Sequence, residues 1–141
     1  MNGGDGVMKD ILDFLKKNSA GFLATVDGDK AKGRPFQFMF MEDGRFYFCT
    51  SNKKKVFKQM KANPWVEFSS MSSDCTSWVR LSGEIKFIDD KAIKERILME
   101  NPLVKSIYKT ADNPEFEVFC IEHGKALMED FSGRAPKITE F

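Results

Sequence analysis

The chain of 141 residues is short of the groups that usually carry side-chain chemistry. It holds one histidine, His123, and three cysteines, Cys49, Cys75 and Cys120. The cysteines are scattered, odd in number and form no CxxC pair, so neither a disulfide framework nor a structural zinc site is expected. A lone histidine beside Gly124 reads as a surface turn residue rather than the base of a nucleophile–base pair. GxGxxG, P-loop, HExxH and EF-hand patterns are all missing. Charge of one sign is missing too: 22 basic residues face 21 acidic ones, so no global field steers the chain toward nucleic acid. No apolar run approaches the ~18 residues of a membrane-spanning helix. The opening MNGGDGVMKD lacks the basic-then-apolar form of a secretory signal, and the expected location is the cytoplasm. There is no repeat, low-complexity tract or linker, so one domain over residues 1–141 is expected.

Phenylalanine is what the chain has in excess, with 14 against two Trp and two Tyr. That many rings imply an aromatic core, and either a flat apolar pocket or an oligomer interface. The glycines of MNGGDG predict a flexible lead over residues 1–6. From Val7 to Asn18, Met8, Ile11, Leu12 and Leu15 fall at helical spacing opposite Lys9, Asp10, Asp13 and Lys16, which predicts an amphipathic helix.

Three strands follow: FLATV, the alternating RPFQFMF and RFYFCT, with turn signals at Asp27-Gly28 and Asp43-Gly44. The alternation puts Phe36, Phe38 and Phe40 on one face and Gln37, Met39 and Met41 on the other. Two tight turns in succession mean an antiparallel meander. A helix is predicted over Lys54 to Ala62, stopped by Pro64. Strands WVEFSSM and SWVRLSGEIKFI flank a Ser-rich loop. Helical pieces follow at Lys91–Glu100 and Pro102–Tyr108. FEVFCIEHGKALMEDF reads as a hairpin turning near His123-Gly124, and the polar tail as extended chain. Seven short strands with peripheral helices predict a mainly β fold, a small antiparallel β-barrel with helical decoration.

The stretch FCTSNKKKVFKQMKANP carries the one local constellation with a chemical meaning. Ser51 or Asn52 can cap a helix beginning near Lys53, leaving first-turn amides and the helix dipole to face an anion. Lys54 or Lys55 adds a cation and Thr50 a hydroxyl. Arg34, at the head of RPFQFMF, is a second cation that pairing with the Arg45–Thr50 strand would bring near; its planar fork suits phosphate. Lys58 and Lys61 read as a solvated helix face. No catalytic acid, base or nucleophile can be named, which favours a bound cofactor as the carrier of any chemistry.

RPFQFMF, FYFCTSNKKKVFKQMKANPWVEF, WVRLSGEI, FEVF and FSG, in that order, resemble the pyridoxamine 5′-phosphate oxidase-like, FMN-binding split-barrel family. The likeness covers roughly residues 7 to 135 and is greatest to short bacterial members described as general stress or nitroimidazole-resistance-like proteins. It implies a homodimer of split β-barrels with two FMN sites at the subunit interface and a small-molecule substrate. By that likeness Arg34 and a lysine of the 53–55 run hold the FMN phosphate. Pro35, Phe36 and Gln37 line the isoalloxazine edge, Cys49 and Thr50 match the strand end that contacts ring and ribityl chain, and Ser51 beside them is counted with the cofactor site. Trp78 falls where the oxidase has a flavin-contacting glutamine. Met39 stands where the oxidase has a substrate-binding lysine, and no arginine-rich C-terminal segment follows, so genuine pyridoxamine phosphate oxidation is not expected.

The leading expectation is therefore an FMN-dependent oxidoreductase drawing electrons from a nicotinamide. Its alternative is a non-catalytic flavin-binding, sensing or stress protein. Members of similar length bind deazaflavin or haem instead, and His123 is a poor haem ligand. An RNA-binding barrel is a third reading, opposed by the near-neutral charge.

Overall fold

The computed structural model describes residues 3–141. Of the flexible lead expected over 1–6, Met1 and Asn2 lie outside the described residues. The remainder is helical: α1 runs Gly3–Lys17, one turn earlier than the apolar spacing predicts. Ile11 and Leu15 are fully buried, and a helix anchored by that stripe extends through Gly3, Gly4 and Gly6 at about 1 kcal/mol per glycine.

Eight strands, numbered along the chain with the ranges given below, form one antiparallel sheet; seven follow the order β2-β1-β5-β6-β7-β4-β3, and β8 pairs with β7 off that path. β1 (Ala20–Asp27) turns through Gly28-Asp29 into β2 (Lys30–Gln37), with Gly28 in the left-handed region. β3 (Phe40–Glu42) joins β4 (Arg45–Ser51) through Asp43-Gly44, both at positive φ. That is the type I′ geometry that an Asp-Gly pair serves.

RPFQFMF does not stay one strand, as its alternation predicts. Phe38 N–H still donates toward β1, to Ser19 O at 2.9 Å, whereas Met39 N–H donates to Tyr47 O of β4 at 3.0 Å. The chain changes partner between these residues, and the faces change with it. Phe36, Phe38 and Met41 pack in one core, Met39 and Phe40 in the other. This crossing from β1 to β4 is the split of the barrel, whose sheet is not closed by strand pairing.

β5 (Trp65–Met71) and β6 (Ser77–Ile88) follow α2 (Lys55–Ala62). After α3 (Lys91–Glu100) and α4 (Pro102–Tyr108), β7 runs unbroken over Phe116–Asp130. The hairpin expected at His123-Gly124 is thus a correction. Gly124 is not at positive φ; it stands opposite Gly83, where β6 shifts register. A Cβ on Gly124 would lie 2.1 Å from Ser82 O. The glycine allows two backbones to close on each other; it makes no turn. His123 is exposed, but in mid-strand. The tail forms β8 (Lys137–Glu140) along β7, and the Phe141 ring meets Phe46 at 4.7 Å.

The sheet divides two cores. Inside the barrel lie Leu23, Phe46, Phe48, Phe68, Leu81 and Phe119, closed over by α1 and by Val56 and Met60 of α2. Phe48 and Phe119 stack at 5.5 Å. On the other side of β4 and β7, Tyr47, Phe116, Val118 and Cys120 pack with Ile93, Ile97 and Val104 of α3 and α4. Asp90 caps α3 by accepting from the amides of Ala92 and Ile93, and Pro102 opens α4 where a missing N–H costs nothing. Among the described residues no helix is long and apolar enough to cross a membrane.

Candidate functional site

β4 delivers the Thr50–Lys55 stretch to the start of α2. Ser51 is buried, and its Oγ accepts from Lys53 N–H at 3.2 Å. The Asn52 side chain donates to Pro114 O at 2.7 Å and its backbone N–H to Glu115 O at 3.0 Å. Both residues are thus spent on the turn. The N-cap is Lys54, with no side-chain cap, so the cap expected from Ser51 or Asn52 is a correction. The turn is longer than a cap from either would allow. Among the described residues the amides of Lys55 and Val56 have no acceptor. They open α2 among the exposed Lys53, Lys54 and Lys55, at the positive end of its dipole.

Thr50 shares the inner face with Phe46 and Phe48 and is 3% exposed. Among the described residues its Oγ1 is the one buried side-chain polar atom without a hydrogen-bond partner. Cys49 faces the other way, toward the second core. Burial pushes its thiol up to about 12, against a weaker downward pull from Lys54. It is therefore held as a thiol at neutral pH and is no nucleophile.

Arg34 reaches α2 by another route than the one expected. β2 pairs with β1, not with β4. Arg34 lies level with Leu23 on the inner face, and its guanidinium crosses β1. Nη1 donates to Thr25 Oγ1 at 2.7 Å and to Leu23 O at 3.1 Å; Nη2 donates to Gln59 Oε1 at 2.7 Å. Thr25 also donates to Gln59 Oε1 at 2.7 Å. Gln59 is one turn beyond Lys55, so this bond ties Arg34 to the same helix as the lysine. Among the described residues no carboxylate lies within ion-pair distance of Arg34, and burial lowers its pKa from the usual arginine value.

The other expected residues divide between two faces. Phe36 points inward, its ring 5.7 Å from Phe119 and 6.4 Å from Phe48. Pro35 and Gln37 stand on the outer face, opposite Phe22 and Ala20; Gln37 Nε2 donates to Ser19 Oγ at 3.2 Å. Trp78 is also on the outer face, at the head of β6, with its ring 5.0 Å from Phe131. Three strand spacings, roughly 14 Å, separate β6 from β2, so the fold does not bring Trp78 to Arg34. The outer face carries exposed apolar side chains beside the Arg80–Glu67 ion pair: Phe22 is 62% exposed, Met71 47% and Phe131 75%. A cleft of about 430 Å³ is lined by Lys55, Lys58 and Gln59 with Val26, Asp27 and Gly28. Lys58 is solvated as expected. Lys61 does more, lying 4.6 Å over the Phe87 ring.

Sequence reading missed Gln59 and Thr25. The available signals were the four-residue spacing from Lys55 and the inward position of Thr25 in β1.

The model of the family described as "Pyridoxamine 5′-phosphate oxidase" matches residues 7–127. The chain belongs to that family. Among solved structures it is similar to a NimC/NimA family protein from Clostridium acetobutylicum, at 35% identity and TM-score 0.85, covering 95% of this chain and 93% of that one. General Stress Protein 26 from Bacillus anthracis shares the fold at 19% identity and TM-score 0.78, covering 95% and 98%. A heme binding protein from Mycobacterium smegmatis does so at 15% identity and TM-score 0.78, covering 95% of this chain and 57% of that one. A search of curated proteins gives no match. Family members share the antiparallel split-barrel frame described above, and flavin binding is typical of them.

Proposed function

We propose that the chain binds FMN as a homodimer and acts as a flavin-dependent oxidoreductase on a small molecule other than pyridoxamine 5′-phosphate. The observation that carries the reading is a set of anion-binding groups that no protein carboxylate or acceptor neutralises. Arg34 has no carboxylate partner, the Lys55 and Val56 amides are free, and the buried Thr50 hydroxyl is unpaired among the described residues. These donors fit a phosphate bearing a polyol chain. Arg34, Lys54 or Lys55 and the α2 amides would hold the phosphate, while Thr50 and Ser51 would meet the chain beyond it. FMN, when bound, supplies the hydride or electron transfer.

The chain's own part is to bind and to exclude water. Phe36 backs Arg34 from the inner face, and Pro35 and Gln37 sit on the outer face, beside the exposed apolar side chains that a second copy would cover. Exposing Phe22, Met71 and Phe131 in a monomer leaves an apolar patch that association would cover. Met39 is half-buried against the second core, so the position of the oxidase's substrate lysine offers no charge here.

A non-catalytic flavin carrier is the second reading. It is favoured by the lack of an assignable proton donor: Cys49 faces the second core, where burial keeps the proton on its sulfur, and His123 is exposed on β7. Anaerobic NAD(P)H separates the two, because a reductase bleaches the flavin within turnover time and a carrier does not. Haem and deazaflavin are tested by competition against FMN.

The test of the site is the double variant Arg34→Ala/Lys55→Ala. Losing two charge-assisted hydrogen bonds should weaken FMN by about 100-fold or more with the far-ultraviolet spectrum unchanged. Unchanged affinity in a folded variant would overturn the phosphate assignment.

A further inference from the structure

A guanidinium has five N–H donors in a fixed plane. In Arg34, Nη1 and Nη2 are bridged by Thr25 Oγ1 and Gln59 Oε1, each at 2.7 Å, and those two acceptors are joined by their own 2.7 Å bond. The end of the fork is therefore clamped by a neutral pair. Nη1 is further engaged by Leu23 O at 3.1 Å, and Lys32 O lies at 3.4 Å. Among the described residues Nε–H and the second Nη2 hydrogen have no acceptor, and these two point the same way from one edge. A neutral clamp matters because a carboxylate at the same place would cancel the charge that an incoming anion needs.

We infer that Gln59, supported by Thr25, is the positioning residue that holds the Nε–Nη2 edge of Arg34 open for a phosphate dianion, and so sets the preference for phosphorylated over unphosphorylated flavin. The inference rests on the proposed reading of Arg34 as a phosphate ligand. Gln59 acts through Arg34, to which its Oε1 is bonded. Its Oε1 accepts two hydrogen bonds, one from a strand hydroxyl and one from the arginine, and so fixes the plane of the guanidinium relative to α2. Lys55 lies one turn earlier on that helix, so the clamp also sets the spacing between the two cations.

Three variants test this, using the full chain and titrations with FMN and with riboflavin, which lacks the phosphate. Gln59→Met keeps the helix and the length of the side chain but removes the acceptor. It should weaken FMN about tenfold, the loss of one charge-assisted bond's worth of orientation, and leave riboflavin affinity unchanged. Gln59→Glu places a carboxylate on the fork. It should raise the melting temperature of the flavin-free protein through a new ion pair, yet weaken FMN more than the methionine variant does. Thr25→Ser, which keeps the hydroxyl, should retain the wild-type FMN-to-riboflavin ratio.

A merely structural Gln59 would shift both flavins together, and Gln59→Glu would then tighten or spare both. Either result overturns the inference. Arg34→Ala serves as the control for the underlying reading. If it collapses the FMN-to-riboflavin ratio while Gln59→Met does not, the positioning role alone fails. If it leaves the ratio intact, the phosphate reading fails with it.

Discussion

Thr50→Val removes a single oxygen from the barrel wall and should move stability and binding in opposite directions. Thr50 is 3% exposed and its Oγ1 has no partner among the described residues. Leaving a buried hydroxyl unpaired costs about 1–3 kcal/mol, and valine fills nearly the same volume without that cost. The flavin-free variant should therefore be more stable than the wild type by up to this amount. For a chain of this size 1 kcal/mol is worth about 3 °C, so the midpoint should rise by roughly 3–9 °C. On the proposed reading bound FMN would give the hydroxyl an acceptor, and its loss should cost about 0.5–1.5 kcal/mol of binding, a roughly 2–10-fold weaker Kd. The assay is thermal unfolding with and without FMN, at one fixed protein concentration because the proposed dimerisation would make the midpoint concentration-dependent. A flavin-free variant no more stable than the wild type would refute the claim that the hydroxyl is unsatisfied. A stabilised variant with unchanged FMN affinity would remove Thr50 from the site.

Alkaline pH should destabilise the fold. Burial pushes the thiols of Cys49 and Cys120 up to about 12 and about 11, and the Tyr108 hydroxyl up to about 12. Each folded value is above the unfolded one, so the stabilisation is intact below pH ~8.5 and falls as pH rises toward 12. Urea midpoints measured from pH 8 to 11 should decline steadily, and a flat profile would contradict the assignment. In the native protein at pH 8 only the exposed Cys75 should react with a thiol reagent, against three thiols after denaturation. Phe22→Asp, placed in the exposed apolar face, should yield a folded monomer by sedimentation with FMN binding lost; a dimer that keeps its flavin would place the interface elsewhere.

Much of this was legible in local chemistry. Asp43-Gly44 demanded a type I′ turn and forms one, and Lys91–Glu100 and Pro102–Tyr108 begin and end where their caps and proline put them. What failed to show was long-range. His123-Gly124 reads as a turn on residue type alone, but Gly124 exists for the backbone of Ser82 across the sheet. RPFQFMF alternates perfectly, yet the barrel's split requires its second half to change partner. The cations were legible as Arg34 and the 53–55 lysines, while Gln59, which links Arg34 to the helix, carries no charge to notice. Trp78 rests on likeness alone, and within one chain its strand lies three places from that of Arg34.

The central claim is that two chains bind FMN through its phosphate, and native mass spectrometry of protein reconstituted with excess FMN and then desalted tests it most directly. The account predicts a dimer carrying two FMN, with none retained from an equal excess of riboflavin. A monomer holding one FMN, or a dimer retaining riboflavin as well as FMN, would contradict it.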